Sequence, residues 1–368
     1  MMNNVQDVTK ADLDHIEENL GPEAAGRLAG KSVLVTGGAG FLGYYLVQSI
    51  LHMGRPGGSA EGVRVVVLDN YKRGMPDWLK KLQSSEDRLQ VIEHDITSVD
   101  LPSMEPSEFV IHGASIASPM FYRIYPIETM DANITGLRTL LDHALGRKES
   151  TKPVEGFLFF SSSEIYGDPP ADKIPTREDY NGNVSCTGPR ACYDESKRYG
   201  EALCVNFSGQ HELPITVARP FNNYGPGLQI SDRRVLPDFA RNILDGQDVV
   251  LLSDGSPTRT FCYVADAVVG YLKVLLTGEA GQAYNIGTAK PEISIRELAE
   301  KTVNLAHELF GYEGQVVFQN SEDADYLTDN PNRRCPDIAK AESKLGYHPG
   351  ISLDEGLKRS LLWYRENS

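Results

Sequence analysis

The sequence is poor in cysteine and in long apolar runs, and each shortage excludes a class of protein. Its five cysteines are an odd number without a CxxC pair, and they form no metal-like cluster with histidine. We expect reduced thiols and no metal site. No apolar stretch approaches the length of a membrane span, and the first residues lack the apolar core of a signal peptide. We therefore expect a cytoplasmic protein.

Positive charge is also scarce. The chain has 36 Lys and Arg against 51 Asp and Glu, a net charge of −15. This excess disfavours nucleic acid and anionic membranes as partners, although an anionic substrate can still meet a local basic pocket. Internal repeats and low-complexity tracts are missing as well. The 368 residues are enough for one large domain or two smaller ones with a real apolar core.

A glycine-rich turn follows the first clear strand of the sequence. Apolar residues 33–35 lead into TGGAGFLG, and an apolar helical stretch follows. Gly37 and Gly40 would let the backbone turn sharply and approach a pyrophosphate, and Gly43 would let the helix close on the strand. The helix N-terminus would face the phosphates. The predicted contacts to the dinucleotide here are Gly37, Gly40, Phe41, Leu42 and Gly43.

A second buried strand, VRVVVLDN, ends at Asp69. This is about the distance from the glycine turn at which an acidic residue holds the adenosine ribose hydroxyls. A carboxylate there repels a ribose phosphate, which favours NAD over NADP, although Lys72 and Arg73 follow closely. For Asp95, which we expect to contact adenine, a plain turn-forming role is the alternative. The further cofactor contacts expected at these strand ends are Asn70, Asp95 and Ile96.

Strands and helices alternate through the first part of the chain. Strand-like stretches recur at 89–96, 108–115 and 156–164, with helical stretches between them. This alternation predicts an α/β fold with a doubly wound parallel sheet. Later the alternation fades into loops rich in Gly, Pro and Asp. We expect a helical extension over residues 1–30, a nucleotide-binding domain over 31–221 and a smaller mixed α/β substrate domain over 222–368, with interleaved segments.

The stretch GPRACYDESK places Tyr193 four residues before Lys197, so the two side chains share one face of a helix. A nearby positive charge favours a phenolate, so we expect the lysine to lower the pKa of the phenol and make it a base for a sugar hydroxyl. Such pairs also occur by chance on exposed helices. Together with the glycine turn, Asp69 and the carboxylate of Glu164, this pair indicates an NAD-dependent enzyme.

The motifs TGGAGFLG, SSSEIYG, YDESK, RPFNNYGP and TRTFCYV resemble, in the same order, those of the extended short-chain dehydrogenase/reductase family. The resemblance covers nearly everything from Lys31 to the C-terminus. It implies a Rossmann domain that holds NAD and a smaller C-terminal domain that holds a nucleotide sugar. Within the family, the string YNGNVSCTGPRACYDESKR is most similar to UDP-glucuronate decarboxylases, which make UDP-xylose.

The resemblance implies a catalytic role for five residues. Tyr193 would deprotonate the sugar C4 hydroxyl while NAD⁺ takes the C4 hydride, and Lys197 would tune the tyrosine and hold the nicotinamide ribose. Ser162, where these decarboxylases usually carry threonine, would form a hydrogen bond with the C4 oxygen. The resulting β-keto acid loses CO₂ easily. Glu164 and Arg259 would manage the carboxylate and reprotonate C5, and NADH would return its hydride to C4.

The resemblance also implies substrate contacts and a homodimer. The resemblance places Ser163 at the position where 4,6-dehydratases carry an aspartic acid. Serine cannot act as an acid at neutral pH, so this residue favours decarboxylation over dehydration. Helical stretches at 133–145 and 196–207 correspond to the pair through which this family commonly dimerises. The implied contacts to the nucleotide sugar are Ser118, Tyr122, Ser163, Asn222, Arg234, Arg259 and Arg334.

Other functions stay open at this point. A 4-epimerase, a 4,6-dehydratase or a 4-dehydrogenase acting on a nucleotide sugar shares the oxidation at C4. A non-catalytic dinucleotide sensor would typically have lost the tyrosine, the lysine or the glutamate, and all three are present. Two features depart from the family pattern, namely the serine at position 162 and the N-terminal extension with a loop-like insert at 54–62.

Overall fold

The strands and helices of the protein were located in a computed structural model that describes residues 5–319 and 331–367. The strands are β1 (Ser32–Thr36), β2 (Arg64–Asp69), β3 (Leu89–Glu93), β4 (Phe109–His112), β5 (Gly156–Phe160), β6 (Ile215–Pro220), β7 (Asn223–Tyr224), β8 (Val249–Leu251), β9 (Thr258–Thr260), β10 (Cys262–Tyr263), β11 (Ala283–Ile286), β12 (Glu292–Ser294), β13 (Val316–Phe318) and β14 (Arg333–Arg334). The α-helices are α1 (Val5–Leu20), α2 (Pro22–Gly26), α3 (Phe41–Met53), α4 (Asp77–Ser85), α5 (Pro119–Ile124), α6 (Pro126–Asp131), α7 (Leu137–Gly146), α8 (Ala191–His211), α9 (Val235–Leu244), α10 (Val264–Thr277), α11 (Ile295–Phe310), α12 (Ala339–Leu345) and α13 (Leu353–Asn367).

Seven of these strands form one parallel sheet in the order β3-β2-β1-β4-β5-β6-β11. Apolar layers cover both faces: Val33 and Val35 of β1 point into one layer and Leu34 into the other. The chain order reverses between β1 and β4, and ligands of such sheets bind outside the carboxyl ends of the strands at that point. The predicted doubly wound α/β fold is confirmed.

The chain after residue 222 builds smaller sheets, although β11 returns to the main sheet. The described strands pair there as β10 with β7, as β12-β9-β14 and as β13 with β8. In the three-stranded sheet, Arg334 of β14 is the register partner of Arg259 of β9. Two arginines that lie far apart in sequence are therefore neighbours before any ligand is considered.

The N-terminal extension packs on the body of the same chain. Helix α1 lies against α3, α10 and α13. Its Asp12 is fully buried and accepts hydrogen bonds from the hydroxyls of Tyr45 and Tyr263 (2.6 Å) and from Nη1 of Arg359 (2.5 Å). These three partners belong to α3, β10 and α13. One carboxylate thus joins three elements, two of which come from the later part of the chain.

The insert at 54–62 forms turns between α3 and β2, as the sequence predicts. It contacts the N-terminal extension, because Glu17 of α1 accepts from Nη1 of Arg55 at 2.6 Å and from the N–H of Ser59 at 2.9 Å. The two segments that depart from the family pattern therefore bind each other.

Within residues 5–319 and 331–367, no helix is long and apolar enough to cross a membrane, and no group of side chains could hold a metal ion. All five cysteines are free thiols.

Replacing Asp12 with alanine should destabilise the fold strongly, because it leaves the Arg359 charge and two phenols without their buried acceptor. Breaking a buried ion pair from one side costs about 3–5 kcal/mol. Urea unfolding followed by circular dichroism gives the free energy. The control is Asp14→Ala, which removes a half-exposed ion pair with Lys10 and should cost at most about 1 kcal/mol. Equal losses for the two variants would contradict a stabilising role of Asp12.

Candidate functional site

The glycine turn after β1 has the close contacts that a dinucleotide site needs. Gly37 has a φ of +72°, and a Cβ added there would lie 2.7 Å from the backbone of Ala114. At Gly43 a Cβ would lie 2.2 Å from the carbonyl oxygen of Gly38, so α3 can approach the turn only with glycine there. Gly40 is the N-cap of α3 and no side chain caps the helix. Its first turn, which starts at Phe41 and Leu42, therefore keeps backbone N–H groups that suit a phosphate.

Asp69 holds this turn in place from the end of β2. Its carboxylate accepts the N–H of Ala39 at 3.0 Å and the N–H of Tyr71 at 2.9 Å. Burial raises the pKa of Asp69, and these two hydrogen bonds oppose the rise. The predicted ribose-binding carboxylate therefore lies directly against the glycine turn.

The other predicted cofactor residues lie at the same edge of the sheet. Asn70 donates from Nδ2 to Asp95 at 3.1 Å, while Asp95 also accepts from the N–H (2.9 Å) and the hydroxyl (2.7 Å) of Thr97. Asp95 therefore makes the turn-forming contacts that were the alternative to a role at adenine, and Ile96 beside it is buried. Their contacts with the cofactor remain predictions.

Tyr193 and Lys197 lie on α8 and are both buried. Lys197 donates from Nζ to the carbonyl of Phe160 at 2.8 Å and lies 5.7 Å from the centre of the Tyr193 ring. Burial raises the pKa of Tyr193 to about 12, and a hydrogen bond with Ser162 opposes this rise. Burial also lowers the pKa of Lys197 to about 7.

The prediction that Lys197 lowers the pKa of Tyr193 is therefore wrong for the protein alone. The lysine has the expected position, but burial of the phenol outweighs the groups that favour the phenolate, which are Ser162 and Arg234. An amine with a pKa near 7 is also only partly charged at neutral pH.

The chain after β5 brings Ser162 to the tyrosine. Ser162 is the N-cap of a short 3-10 helix at Ser163–Tyr166, where its Oγ accepts the N–H of Glu164 at 3.2 Å. The same side chain forms the hydrogen bond with Tyr193. Ser163 is buried in the first turn of this helix. One serine therefore links the predicted base to the backbone of the predicted carboxylate.

Glu164 is held by two arginines. Arg334 donates from Nη1 to Oε1 and from Nη2 to Oε2, both at 2.5 Å, and Nη2 of Arg190 contacts Oε2. Burial alone would raise the pKa of Glu164, but the charges of Arg190 and Arg334 outweigh it and lower the pKa to about 2. A carboxyl group with this pKa is ionised at neutral pH and is no proton donor there. In this arrangement Glu164 acts through its negative charge.

Arg259 adds a third buried guanidinium to this cluster. It donates from Nη1 and Nη2 to the carbonyls of Thr258 (2.8 Å), Asn332 (3.2 Å) and Pro331 (2.6 Å). Burial and the neighbouring charge of Arg334 lower the pKa of Arg259 to about 9, so the group still carries its charge at neutral pH.

Tyr122 lies against the predicted base. Its ring stacks on that of Tyr193 with centroids 5.2 Å apart and planes 13° from parallel. The ring is buried, and its hydroxyl has no hydrogen-bond partner among the described residues. Asn222 is similar, because its Nδ2 is buried without such a partner and its backbone has a φ of +38°. Unsatisfied polar atoms of this kind are common where a ligand binds.

Ser118 and Arg234 meet at Asp232. Ser118 donates its hydroxyl to the Asp232 carbonyl at 2.9 Å, and Arg234 places Nε 3.0 Å from Oδ1 of the same aspartate. Arg73, which lies shortly after β2, reaches Oδ2 of Asp232 at 2.6 Å. The side chains of Ser118 and Arg234 therefore have protein partners already, and their substrate contacts remain predictions.

Sequence reasoning missed Arg190. The residue lies three positions before Tyr193, in the same string that identified the base. Its position as the N-cap residue of the tyrosine helix was a visible signal, but its partner Glu164 belongs to a different element. His112 is a buried residue at the end of β4, and its Nδ1 lies 2.8 Å from Oγ1 of Thr36.

A glycine turn on a parallel sheet, with a buried Tyr–Lys pair at its edge, defines an enzyme that uses a dinucleotide. The chain belongs to the NAD dependent epimerase/dehydratase family, whose sequence profile matches residues 33–287. NAD is the cofactor of this family, and the glycine turn with Asp69 suits it.

Curated relatives cover most of the chain. UDP-glucuronic acid decarboxylase 6 of Arabidopsis thaliana is 37% identical over 88% of this chain and 86% of its own. UDP-glucuronic acid decarboxylase 1 of Xenopus tropicalis is 34% identical over 91% of this chain and 72% of its own.

Solved structures of other family members share the fold. A dTDP-glucose 4,6-dehydratase from Streptomyces venezuelae with NAD bound has a TM-score of 0.76 and 27% identity, covering 91% of this chain and 97% of its own. A UDP-glucose 4-epimerase from Thermotoga maritima with UDP-glucose has a TM-score of 0.75 and 27% identity, covering 91% and 99%.

Replacing Lys197 with methionine should stabilise the ligand-free protein at low pH. The pKa of Lys197 falls from its ordinary 10.5 to about 7 in the folded state. Below pH 7 the lysine is charged in both states and its burial cost is complete. Between pH 7 and 10.5 the unfolded chain binds more protons, so the cost fades. The increase in the free energy of unfolding that Lys197→Met causes should be larger at pH 6 than at pH 10 by on the order of 4 kcal/mol.

Urea unfolding of both proteins at the two pH values measures this difference. The control is Lys301→Met, which removes a half-exposed lysine paired with Asp354 and should have an effect of less than about 1 kcal/mol at either pH. A Lys197→Met effect that is the same at pH 6 and pH 10 would show that the buried lysine titrates normally.

Proposed function

We propose that the protein converts UDP-glucuronate to UDP-xylose and CO₂ by oxidising the sugar at C4. The observation that carries the proposal is the buried cluster of Arg190, Arg259 and Arg334 around Glu164, beside Tyr193. Guanidinium groups in a site of low dielectric attract a carboxylate strongly. A sugar with a carboxylate at C5 would present that group to the cluster while its C4 hydroxyl faces the tyrosine.

The first step oxidises the C4 alcohol, which loses the proton of its hydroxyl group and a hydride from C4. When bound at the glycine turn and Asp69, NAD supplies the acceptor for the C4 hydride and later its donor. Tyr193 takes the proton of the C4 hydroxyl. Ser162, which is hydrogen-bonded to Tyr193, is placed to bond the same C4 oxygen and to fix its distance from the base.

The second step moves charge across the site. As the C5–carboxylate bond breaks, its electron pair passes to the C4 carbonyl oxygen, so negative charge leaves the arginine cluster and develops beside Tyr193 and Ser162. Their hydroxyl groups can donate to it. The ionised Glu164 disfavours retention of a second negative charge beside it, which assists the loss of CO₂. C5 then takes a proton from water, and Tyr193 returns its proton to the C4 oxygen as the hydride returns to C4.

The same C4 oxidation would serve the other reactions of the family. The likeness to a 4-epimerase and to a 4,6-dehydratase keeps these two activities, and a simple 4-dehydrogenase, as alternatives. Ser163 counts against dehydration, because a serine hydroxyl is not an acid at neutral pH. The proposal includes the division into residues 1–30, 31–221 and 222–368, and a cytoplasmic location.

A homodimer is part of the proposal. Helices α7 and α8 pack on each other along one side of the main sheet. On α8, Tyr199 and Val205 are 51% and 48% exposed, which is high for large apolar side chains. A second copy of the chain could cover them by pairing its own α7 and α8, so that the helix pair through which the family resemblance implies a dimer would meet its copy.

Purified protein with NAD⁺ should convert UDP-glucuronate to UDP-xylose, which a proton NMR time course of the anomeric signals measures together with product mass. Tyr193→Phe keeps the ring stacked on Tyr122 but removes the base, so turnover should fall by about 10²–10⁴. Binding of NAD by Tyr193→Phe is the control for folding.

Two outcomes would reject the decarboxylase. UDP-glucuronate that stays unchanged while NAD binds would do so, and an epimerised or 4,6-dehydrated product from another nucleotide sugar would establish an alternative. Turnover that survives in Tyr193→Phe would instead remove the tyrosine from the base role.

Light scattering after size exclusion should give twice the chain mass of 40.6 kDa. The double variant Tyr199→Glu with Val205→Glu should run as a monomer, because it places charge where the two copies would meet. The control is Val99→Glu, which changes an apolar side chain that is 89% exposed elsewhere. A monomeric parent protein, or a double variant that stays dimeric, would contradict this interface.

A further inference from the structure

We propose that Arg190 is a positioning residue of the active site, which ties the carboxylate of Glu164 to the helix that carries Tyr193. For the identity of the reaction this inference rests on the proposed function. The arrangement of the three side chains does not depend on it.

Arg190 contacts Glu164 through its side chain and Tyr193 through its backbone. Its guanidinium is buried, with the residue 6% exposed, and Nη2 contacts Oε2 of Glu164 while Nε lies 3.8 Å from Oδ2 of Asp194. Its backbone carbonyl accepts the N–H of Tyr193 at 3.0 Å and that of Asp194 at 3.1 Å. The residue that starts α8 therefore also holds the carboxylate that the chemistry needs near the tyrosine.

Two arginines from different parts of the fold contact the carboxylate of Glu164. Arg334 binds both oxygens but belongs to β14 in the small sheet, whereas Arg190 is the N-cap residue of the tyrosine helix. Without Arg190, the remaining strong contact of the carboxylate would be with the small sheet. Glu164 would then follow that sheet, and its distance from Tyr193 would no longer be fixed by α8.

A stacked ring provides a second connection. The Cζ of Arg190 lies 5.9 Å from the ring centre of Tyr122, whose ring stacks on Tyr193 at 5.2 Å. Such a contact of a guanidinium with an aromatic face is favourable when both are desolvated. The orientation of Tyr122 on the base thus depends on the same arginine.

The charge environment of Glu164 gives the inference a measurable consequence. Two of the facing groups lower its pKa to about 2, and the loss of one of them should raise it. If Glu164 must be ionised in the reaction, the acid limb of the pH profile should move upward. The charged and titratable described groups that face Glu164 are Arg190, Arg334, Arg259, Tyr122 and Tyr193.

The test compares Arg190→Met, which keeps length and loses the charge, with Arg190→Lys, which keeps the charge. With UDP-glucuronate and NAD⁺, we expect kcat of Arg190→Met to fall about 100-fold, the loss typical of a misplaced catalytic group. KM should change less, and the acid limb of the kcat profile should shift upward by about one pH unit or more. Arg190→Lys should restore the limb and part of kcat.

The matched control is Arg241→Met, which removes a partly exposed arginine paired with Asp238 on α9 and should leave both quantities unchanged. A fall in kcat without a shift of the acid limb, or no rescue by lysine, would mean that Arg190 only stabilises the start of the helix. Either result would overturn the inference. An unchanged kcat in Arg190→Met would overturn it as well.

A second readout separates this inference from the proposed reaction. The pKa of Glu164 is lowered in the folded state, so its contribution to stability is present above its ordinary 4.5 and is lost as pH falls toward 2. The stability difference between the parent protein and Arg190→Met should therefore shrink as pH falls from 6 to about 3. A constant difference would overturn the inference even if UDP-glucuronate proved not to be the substrate.

Discussion

The structure depends on the ion pair between Glu164 and Arg334. It joins the loop after β5 of the main sheet to β14 of a small sheet, across 170 positions of sequence. Removing both charges from water is expensive, and the attraction offsets that cost only when the geometry is good and the remaining lone pairs are bonded. The bidentate contact and the added contact from Arg190 meet this condition. The two parts of the chain must therefore keep one relative position for the site to be stable.

The same low dielectric that strengthens this pair makes the site costly elsewhere. Burial lowers the pKa of Lys197 to about 7 and raises the pKa of Tyr193 to about 12, because it disfavours the charged form of each side chain. Neither arrangement favours folding. Shifted pKa values concentrated at one edge of a sheet are typical of catalytic sites, where stability is given up for reactivity. The position of all these groups outside the strand ends agrees with where parallel sheets bind their ligands.

Local patterns made much of the fold predictable. The glycine turn, Asp69 and the Tyr193–Lys197 spacing each lie within a few residues of one another or at a fixed distance along one nucleotide-binding unit. Ion pairs between distant elements were not predictable, because the directions of side chains on different elements appear only after folding. The pKa of Tyr193 was predicted in the wrong direction for a related reason: the sequence shows the neighbouring lysine, but it does not show the extent of burial that outweighs it.

The N-terminal helix shows how an element without chemistry can still set the geometry of a site. Asp12 binds Tyr45 on α3, the helix that begins at the glycine turn, and Tyr263 on β10, which follows the strand that carries Arg259. A buried acceptor shared by two phenols fixes the distance between their backbones. The dinucleotide turn and the substrate-side arginine are thus held by a common support. Because the insert at 54–62 binds the same helix through Glu17, the N-terminal extension and the insert form one connected support.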